Sequence, residues 1–282
     1  MSSLPTAFVS HGSPLLALKT GRTGAAWHRL AAELPRPASI LMISAHWDGP
    51  RPAVSAAAKP QTIHDFYGFP EPLYRIEYPA PGAPALARRV HDLLAAAGFT
   101  AEIDSERGLD HGAWVPLREM YPGADIPVTQ LSVQSRLGPE HHYRLGLALS
   151  ALPGEDVLVI GSGSLTHNLR EVISLMGVED APDLTAYVGA FQDWMHDRLV
   201  ARDFEALLDY RRRAPEAARA HPTEEHLVPL YVAYGAAGNA PQTVRHHAGI
   251  TEGVLAMDVY TFAPTAGKVT AAPGNSPQEA IR

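Results

Sequence analysis

Short apolar runs recur along the chain at 6–10, 39–45, 53–56, 100–104, 127–133, 157–161 and 255–262, most of them bounded by Gly, Pro or Asp. Runs of this length, rich in Val, Ile, Leu, Phe or Thr and closed by turn residues, predict β-strands. Between several of them, apolar positions return at helical spacing, which predicts helices over 24–34, 83–97, 139–151, 183–210 and 224–237. Strands alternating with helices predict an α/β fold, a central mostly parallel or mixed sheet flanked by helices. No repeat or linker divides residues 1–262, which are expected to form one domain, and 263–282 is Pro/Gly/Ala/Ser-rich without pattern, as in a flexible C-terminal tail.

Histidines sit where these runs end. Ala-Phe-Val-Ser-His11, Ile-Leu-Met-Ile-Ser-Ala-His46 and Val-Leu-Val-Ile-Gly-Ser-Gly-Ser-Leu-Thr-His167 each place an imidazole after a strand. A fourth segment, His221-Pro-Thr-Glu-Glu-His226-Leu-Val-Pro-Leu, places His226 near a helix start, with Thr223 as a cap candidate and Glu224 and Glu225 complementing the helix dipole as solvated charges. In an open α/β sheet the carboxyl ends of neighbouring strands meet at one crevice, so distant residues can share a site there. One strand-end histidine is ordinarily a hydrogen-bonded core residue. Several converging on one crevice point to a metal, since neutral imidazole is a common ligand for zinc, iron and copper.

Composition narrows the chemistry. Cysteine is absent, which removes disulfides, thiolate zinc sites, iron–sulfur clusters and a thiol nucleophile, so His, Asp or Glu must hold any metal. A net charge of -7 without a dense basic run excludes a phosphate-neutralising surface and argues against nucleic-acid binding. The start Met-Ser-Ser-Leu-Pro lacks a secretory leader pattern, and no 18-residue uncharged apolar run occurs, so a cytoplasmic protein without membrane association is expected. Assembly as a homo-oligomer stays open.

Most of the 14 histidines need no special role. His28, His91 and His196 lie among charged neighbours in helical patterns and are expected at the surface. The adjacent pairs His141-His142 and His246-His247 are expected there too, because neighbouring side chains point in different directions. Residues 59–84 are rich in Pro and Gly and carry Phe66, Tyr67, Phe69, Tyr74 and Tyr78, which predicts a long ordered loop covering something. A second irregular stretch spans 105–116 and contains Asp110-His111-Gly112-Ala113-Trp114.

Seven motifs, taken in order, resemble the class III extradiol ring-cleaving dioxygenases, most closely the DOPA 4,5-dioxygenase branch, over residues ~7 to ~260. They are His11-Gly-Ser-Pro, Ser-Ala-His46-Trp, Thr-Ile-His64-Asp-Phe, Tyr-Pro-Ala-Pro-Gly, Leu-Asp-His111-Gly-Ala-Trp, Gly-Ser-Gly-Ser-Leu-Thr-His167-Asn-Leu and Pro-Thr-Glu-Glu-His226-Leu-Val-Pro-Leu. The resemblance implies a non-haem Fe(II) enzyme that opens a small aromatic diol with O2 to a semialdehyde. It implies metal ligands His11, His46 and His226, an acid/base histidine at His167, and a second active-site histidine at His111. Another branch uses a carboxylate as third ligand, whereas this chain offers His226. Three neutral ligands would also accept Zn(II).

Other readings remain open on the sequence alone. His221 competes with His226 as ligand, and His167 is also available as a fourth ligand in a resting state. His64, Arg170 and Tyr234 are candidate substrate contacts, with Arg75 a further cation for a carboxylate. A zinc-dependent hydrolase and a non-catalytic binding protein on the same scaffold are the rival functions, because fold similarity does not settle function.

Overall fold

The computed structural model describes residues 3–175 and 182–264. The strands are β1 (Thr6–Ser10), β2 (Ser39–Asp48), β3 (Ala53–Ser55), β4 (Glu102–Asp104), β5 (Val128–Val133), β6 (Val157–Gly163), β7 (Gln242–His247), β8 (Ile250–Thr251), β9 (Leu255–Ala256) and β10 (Val259–Ala263). Among the described residues, eight of them form one sheet in the order β4-β3-β5-β2-β6-β1-β10-β7, and β8 and β9 pair separately. β1, β6, β2 and β5 run parallel, whereas β10 and β7 add antiparallel at one edge, so the sheet is mixed.

The helices are α1 (Gly21–Glu33), α2 (Pro84–Ala96), α3 (His111–Met120), α4 (Gly138–Ala148), α5 (Leu169–Leu175), α6 (Pro182–Ala201), α7 (Phe204–Leu208), α8 (Tyr210–Arg213), α9 (Ala217–Ala220) and α10 (Val228–Ala236). Helices cover both faces, and the central strands are correspondingly apolar at nearly every position. Ile40 and Met42 of β2 with Leu158 and Ile160 of β6 enter one core, together with Trp27 of α1 and Trp114 of α3. The alternate residues Leu41, Ile43, Val157 and Val159 enter the opposite core with Leu86 of α2, Leu145 of α4 and Val232 of α10. Full burial of such side chains contributes roughly 1.5–3 kcal/mol each, which holds the strand ends beneath the site rigid.

Several elements differ from the pattern-based expectation. The helix expected over 183–210 stops at Ala201: Arg202 takes a left-handed φ of 56°, and the Asp203 side chain caps the next short helix by accepting from Ala206 N. The helix expected over 224–237 begins only at Val228 without a side-chain cap, so Thr223 caps nothing and His226 lies in the turn before the helix. The expected strand 255–262 is broken into β9 and β10. The irregular stretch around His111 contains α3, a helix despite Pro116, and the polar-looking β7 completes the sheet edge.

His142 is fully buried rather than at the surface, because its Nε2 accepts from Gln134 N and its Nδ1 donates to Gly138 O. His246 is half-buried against Thr261 Oγ1, and His196 is half-buried against the Tyr260 ring. The 59–84 loop is ordered and packed as expected, burying Phe66, Leu73 and Tyr78. Ala263, expected to open a C-terminal tail, closes β10 instead, and residues 265–282 of that expected tail lie outside the described ones.

Candidate metal centre and active site

The carboxyl ends of β1, β2 and β6 are adjacent, and they carry His11, His46 and, after a short turn, His167 to one place. His226 joins them because the chain entering α10 lies directly on β6. A Cβ on Gly163 would sit 2.0 Å from His226 O, and one on Gly161 2.2 Å from Pro229 O. Only glycine permits that approach, and the Ser164 N–H donates to His226 O at 2.9 Å across it. His111, the first residue of α3, brings its ring to 3.9 Å from that of His46.

Tautomers follow from the partners. Ser162 Oγ donates its one hydrogen to Gly112 O, so at 3.0 Å it must accept from His11 Nδ1. Carboxylates face the other Nδ1 atoms: Asp65 Oδ2 lies 3.4 Å from His46 Nδ1, and Glu225 Oε1 3.1 Å from His226 Nδ1. These partners favour the proton on Nδ1 in each ring, with an Nε2 lone pair turned inward. His46 Nε2 lies 3.0 Å from His11 Nε2 and 3.3 Å from His226 Nε2. Converging lone pairs repel unless a cation lies between them. Nitrogens about 2.0–2.1 Å from one ion, at angles of 90–110°, are about 3.0–3.4 Å apart, which matches.

The electrostatics agree with this donor set. Burial, reinforced by the other histidines, holds His11 and His226 well below the usual imidazole value and brings His46 to about 4. All three are neutral at pH 7, as ligation requires. Burial also lowers His167 to about 3, with the charges of His221 and His46 adding to it, so the ring is far less basic than an exposed histidine. His167 stacks on His226 with centroids 3.4 Å apart, and its Nδ1 lies 4.0 Å from Glu225 Oε1.

Donor atoms form two groups among the described residues. His11, His46 and His111 make one, and His167, Glu225 and His226 the other. The 3.3 Å approach of His226 to His46 joins the two groups into one cluster. Asp65 is held by His111 twice, from its backbone N–H at 2.9 Å and its Nδ1 at 3.0 Å. Burial alone would raise the Asp65 carboxyl, but the hydrogen bond and charge of His111 and the charge of His46 outweigh it and bring the group to about 2.

The remaining sequence candidates fall elsewhere. His221 is fully buried behind the site with Nε2 on Leu165 O at 2.8 Å. His64 bonds Ile76 O at 3.0 Å and packs among Phe66, Tyr74 and Trp114, one ring removed from His111. Arg170 is exposed on α5, and Arg75 pairs with Glu71 at the surface. Tyr234 is buried in the core against Tyr143 and Phe262, so its hydroxyl faces packed side chains rather than the histidines.

Asp65 and Ser162 carry no signal of their own in the sequence, although both lie inside the motifs above, and Glu225, expected as a solvated charge, faces two histidines. A cavity of about 380 Å³ lined by Asp48, Arg136, Arg211, Pro222 and Glu225 opens beside them.

Residues 5–262 match the family described as the catalytic LigB subunit of aromatic ring-opening dioxygenase. The chain belongs to that family. This class III extradiol dioxygenase is 43% identical over 266 residues to a 4,5-DOPA dioxygenase extradiol of Beta vulgaris, covering 92% of this chain and 97% of the relative. It is 39% identical to the 4,5-DOPA dioxygenase extradiol of Escherichia coli K12, covering 90% and 93%. The crystal structure of an uncharacterized Escherichia coli K12 protein superposes on the dioxygenase with a TM-score of 0.77 at 32% identity, covering 92% of this chain and 99% of that one. Membership sets aside the hydrolase and binding-module readings. No helix among the described residues is long and apolar enough to cross a membrane.

Proposed function

We propose that this dioxygenase holds Fe(II) through His11, His46 and His226 and cleaves the ring of a catechol carrying a DOPA-like side chain, giving a ring-opened semialdehyde. The approach of His46 Nε2 to His11 Nε2 at 3.0 Å and to His226 Nε2 at 3.3 Å carries the reading. His226 rather than His111 is taken as third ligand on that 3.3 Å approach. The side chain of the substrate is inferred from the names of the relatives. When bound, ferrous iron supplies the redox-active centre through which the electrons of a catechol reach dioxygen; zinc suits the same ligands but lacks that capacity.

The residues of the chain supply the rest. Three neutral ligands leave the dipositive charge of the ion uncompensated, which favours an anionic catecholate. His167 starts neutral and buried, accepts the catechol proton as negative charge develops beside it, and returns a proton as the ring opens. Glu225, 4.0 Å from His167 Nδ1, favours the transient imidazolium. His111, with Nδ1–H committed to Asp65, offers Nε2 as an acceptor to a catechol hydroxyl. The 59–84 loop, His64 included, walls this side against water.

An aerobic screen of Fe(II)-reconstituted protein against DOPA, caffeate, protocatechuate, gallate and catechol tests the proposal. A yellow ring-opened product, highest with DOPA, is expected. Stoichiometric iron binding without ring opening of any of the five refutes it.

A further inference from the structure

We infer that Asp65 is a positioning residue that fixes the tautomers of two active-site imidazoles at once, the ligand His46 and the adjacent His111, and so ties the 59–84 loop to metal affinity. This rests on the ligand reading above. One carboxylate spans both rings, Oδ1 accepting from His111 N–H and Nδ1–H at 2.9 and 3.0 Å, Oδ2 facing His46 Nδ1 at 3.4 Å. Because both oxygens only accept, His111 carries its proton on Nδ1, and the carboxylate charge facing His46 Nδ1 favours the same tautomer there, so that each ring presents Nε2 as a lone pair.

The loop holds the carboxylate in place. Ile63 N donates to Leu109 O at 2.7 Å, Leu109 N donates to Gln61 O at 2.8 Å, and Trp114 Nε1 donates to Ile63 O at 3.0 Å. The neighbouring Phe66 is buried against the His111 ring. The site therefore depends on a residue 19 positions after His46 and 46 before His111, on a segment that contributes no ligand.

An amide cannot do the same work. In Asp65→Asn one end of the side chain still accepts, and the two hydrogen bonds from His111 retain it. The other end becomes an NH2 donor facing His46 Nδ1. That contact favours the tautomer protonated on Nε2, which has no lone pair for a metal. Loss of a carboxylate behind a ligating histidine typically costs 10–100-fold in metal affinity.

The test is a chelator competition measuring Zn(II) affinity of the wild type, Asp65→Asn, His111→Ala, the double variant and His46→Ala, together with apo thermal midpoints. In parallel, ¹⁵N-histidine NMR of the zinc-loaded wild type reads the His111 tautomer. Asp65→Asn should bind zinc 10–100-fold more weakly with an apo midpoint close to wild type. The loss should persist in the His111→Ala background, and wild-type His111 should be protonated on Nδ1. Unchanged zinc affinity in Asp65→Asn, with affinity lost in His46→Ala, overturns the role of Asp65 and leaves the ligand assignment standing. Retained affinity in His46→Ala overturns both. If Asp65→Asn does not fold, the NMR decides: His111 protonated on Nε2 in the wild type contradicts the inference.

Discussion

Gly163→Ala tests whether the close approach of two backbones sets the metal site. The added Cβ would lie 2.0 Å from His226 O, where real Cβ contacts stay beyond 3.0 Å, so the α10 entrance must retreat by about 1 Å or β6 must deform. Carbonyl oxygen and strand backbone cannot rotate away as a flexible side chain does. The retreat also stretches the 2.9 Å Ser164 N–His226 O bond. Overpacking of this kind costs about 1–3 kcal/mol. The same displacement carries His226 Nε2 away from His46, and a 1 Å misplacement in a reacting constellation costs on the order of 10²-fold in rate. Denaturant unfolding of the apo protein, a zinc competition titration and turnover of the Fe(II) form read the three effects. Gly154→Ala, where nothing lies within 4 Å of the added Cβ, is the control and should change none of them. Gly163→Ala with wild-type metal affinity and turnover would refute the claim that this glycine positions His226.

Other consequences are direct. Alanine at His11, His46 or His226 should abolish stoichiometric metal binding by elemental analysis, while His221→Ala should retain the metal and lose only stability; the reverse pattern for His221 and His226 would reassign the ligand. His167→Ala should keep metal and catechol binding yet lose about 10²–10⁴-fold in turnover, and parallel loss of metal would make it a ligand. His142 is held neutral by burial, at about 4 in the folded state, so the unfolded chain binds the extra proton between that value and about 6.5. Its contribution is therefore present above pH ~6.5 and lost as pH falls through that window, at about 1.4 kcal/mol per pH unit. Denaturant unfolding of apo His142→Gln from pH 7 to 4.5 should show a slope shallower by that amount, and an unchanged slope would show that His142 does not titrate on unfolding.

What the sequence discloses follows from the physics of each element. β2 and β6 are covered on both faces, so nearly every residue is apolar and the strands are visible as runs; the histidines near their carboxyl ends mark the candidate site. β7 escapes notice because, as an edge strand, Gln242–His247 buries little and reads as polar. α3 is hidden because its buried residues surround the whole helix rather than one stripe, with Pro116 inside it. The meeting of His11, His46, His167 and His226 at one place was legible from their positions after strands and before a helix. Asp65 was not, since a carboxylate in a Pro-rich loop looks the same whether solvated or pressed against two imidazoles. Nor was the burial of His142, whose two backbone partners are set by the turn between β5 and α4.

The central claim is that this family member opens a catechol ring by passing electrons through iron to dioxygen. The most direct test is simultaneous oxygen-electrode and product measurement on metal-free protein reloaded with Fe(II) or with Zn(II). Equimolar consumption of O2 and DOPA is expected with Fe(II), with both oxygen atoms entering the ring-opened product, and an intact ring with Zn(II). Turnover that continues without oxygen, or that is highest with zinc, would contradict it.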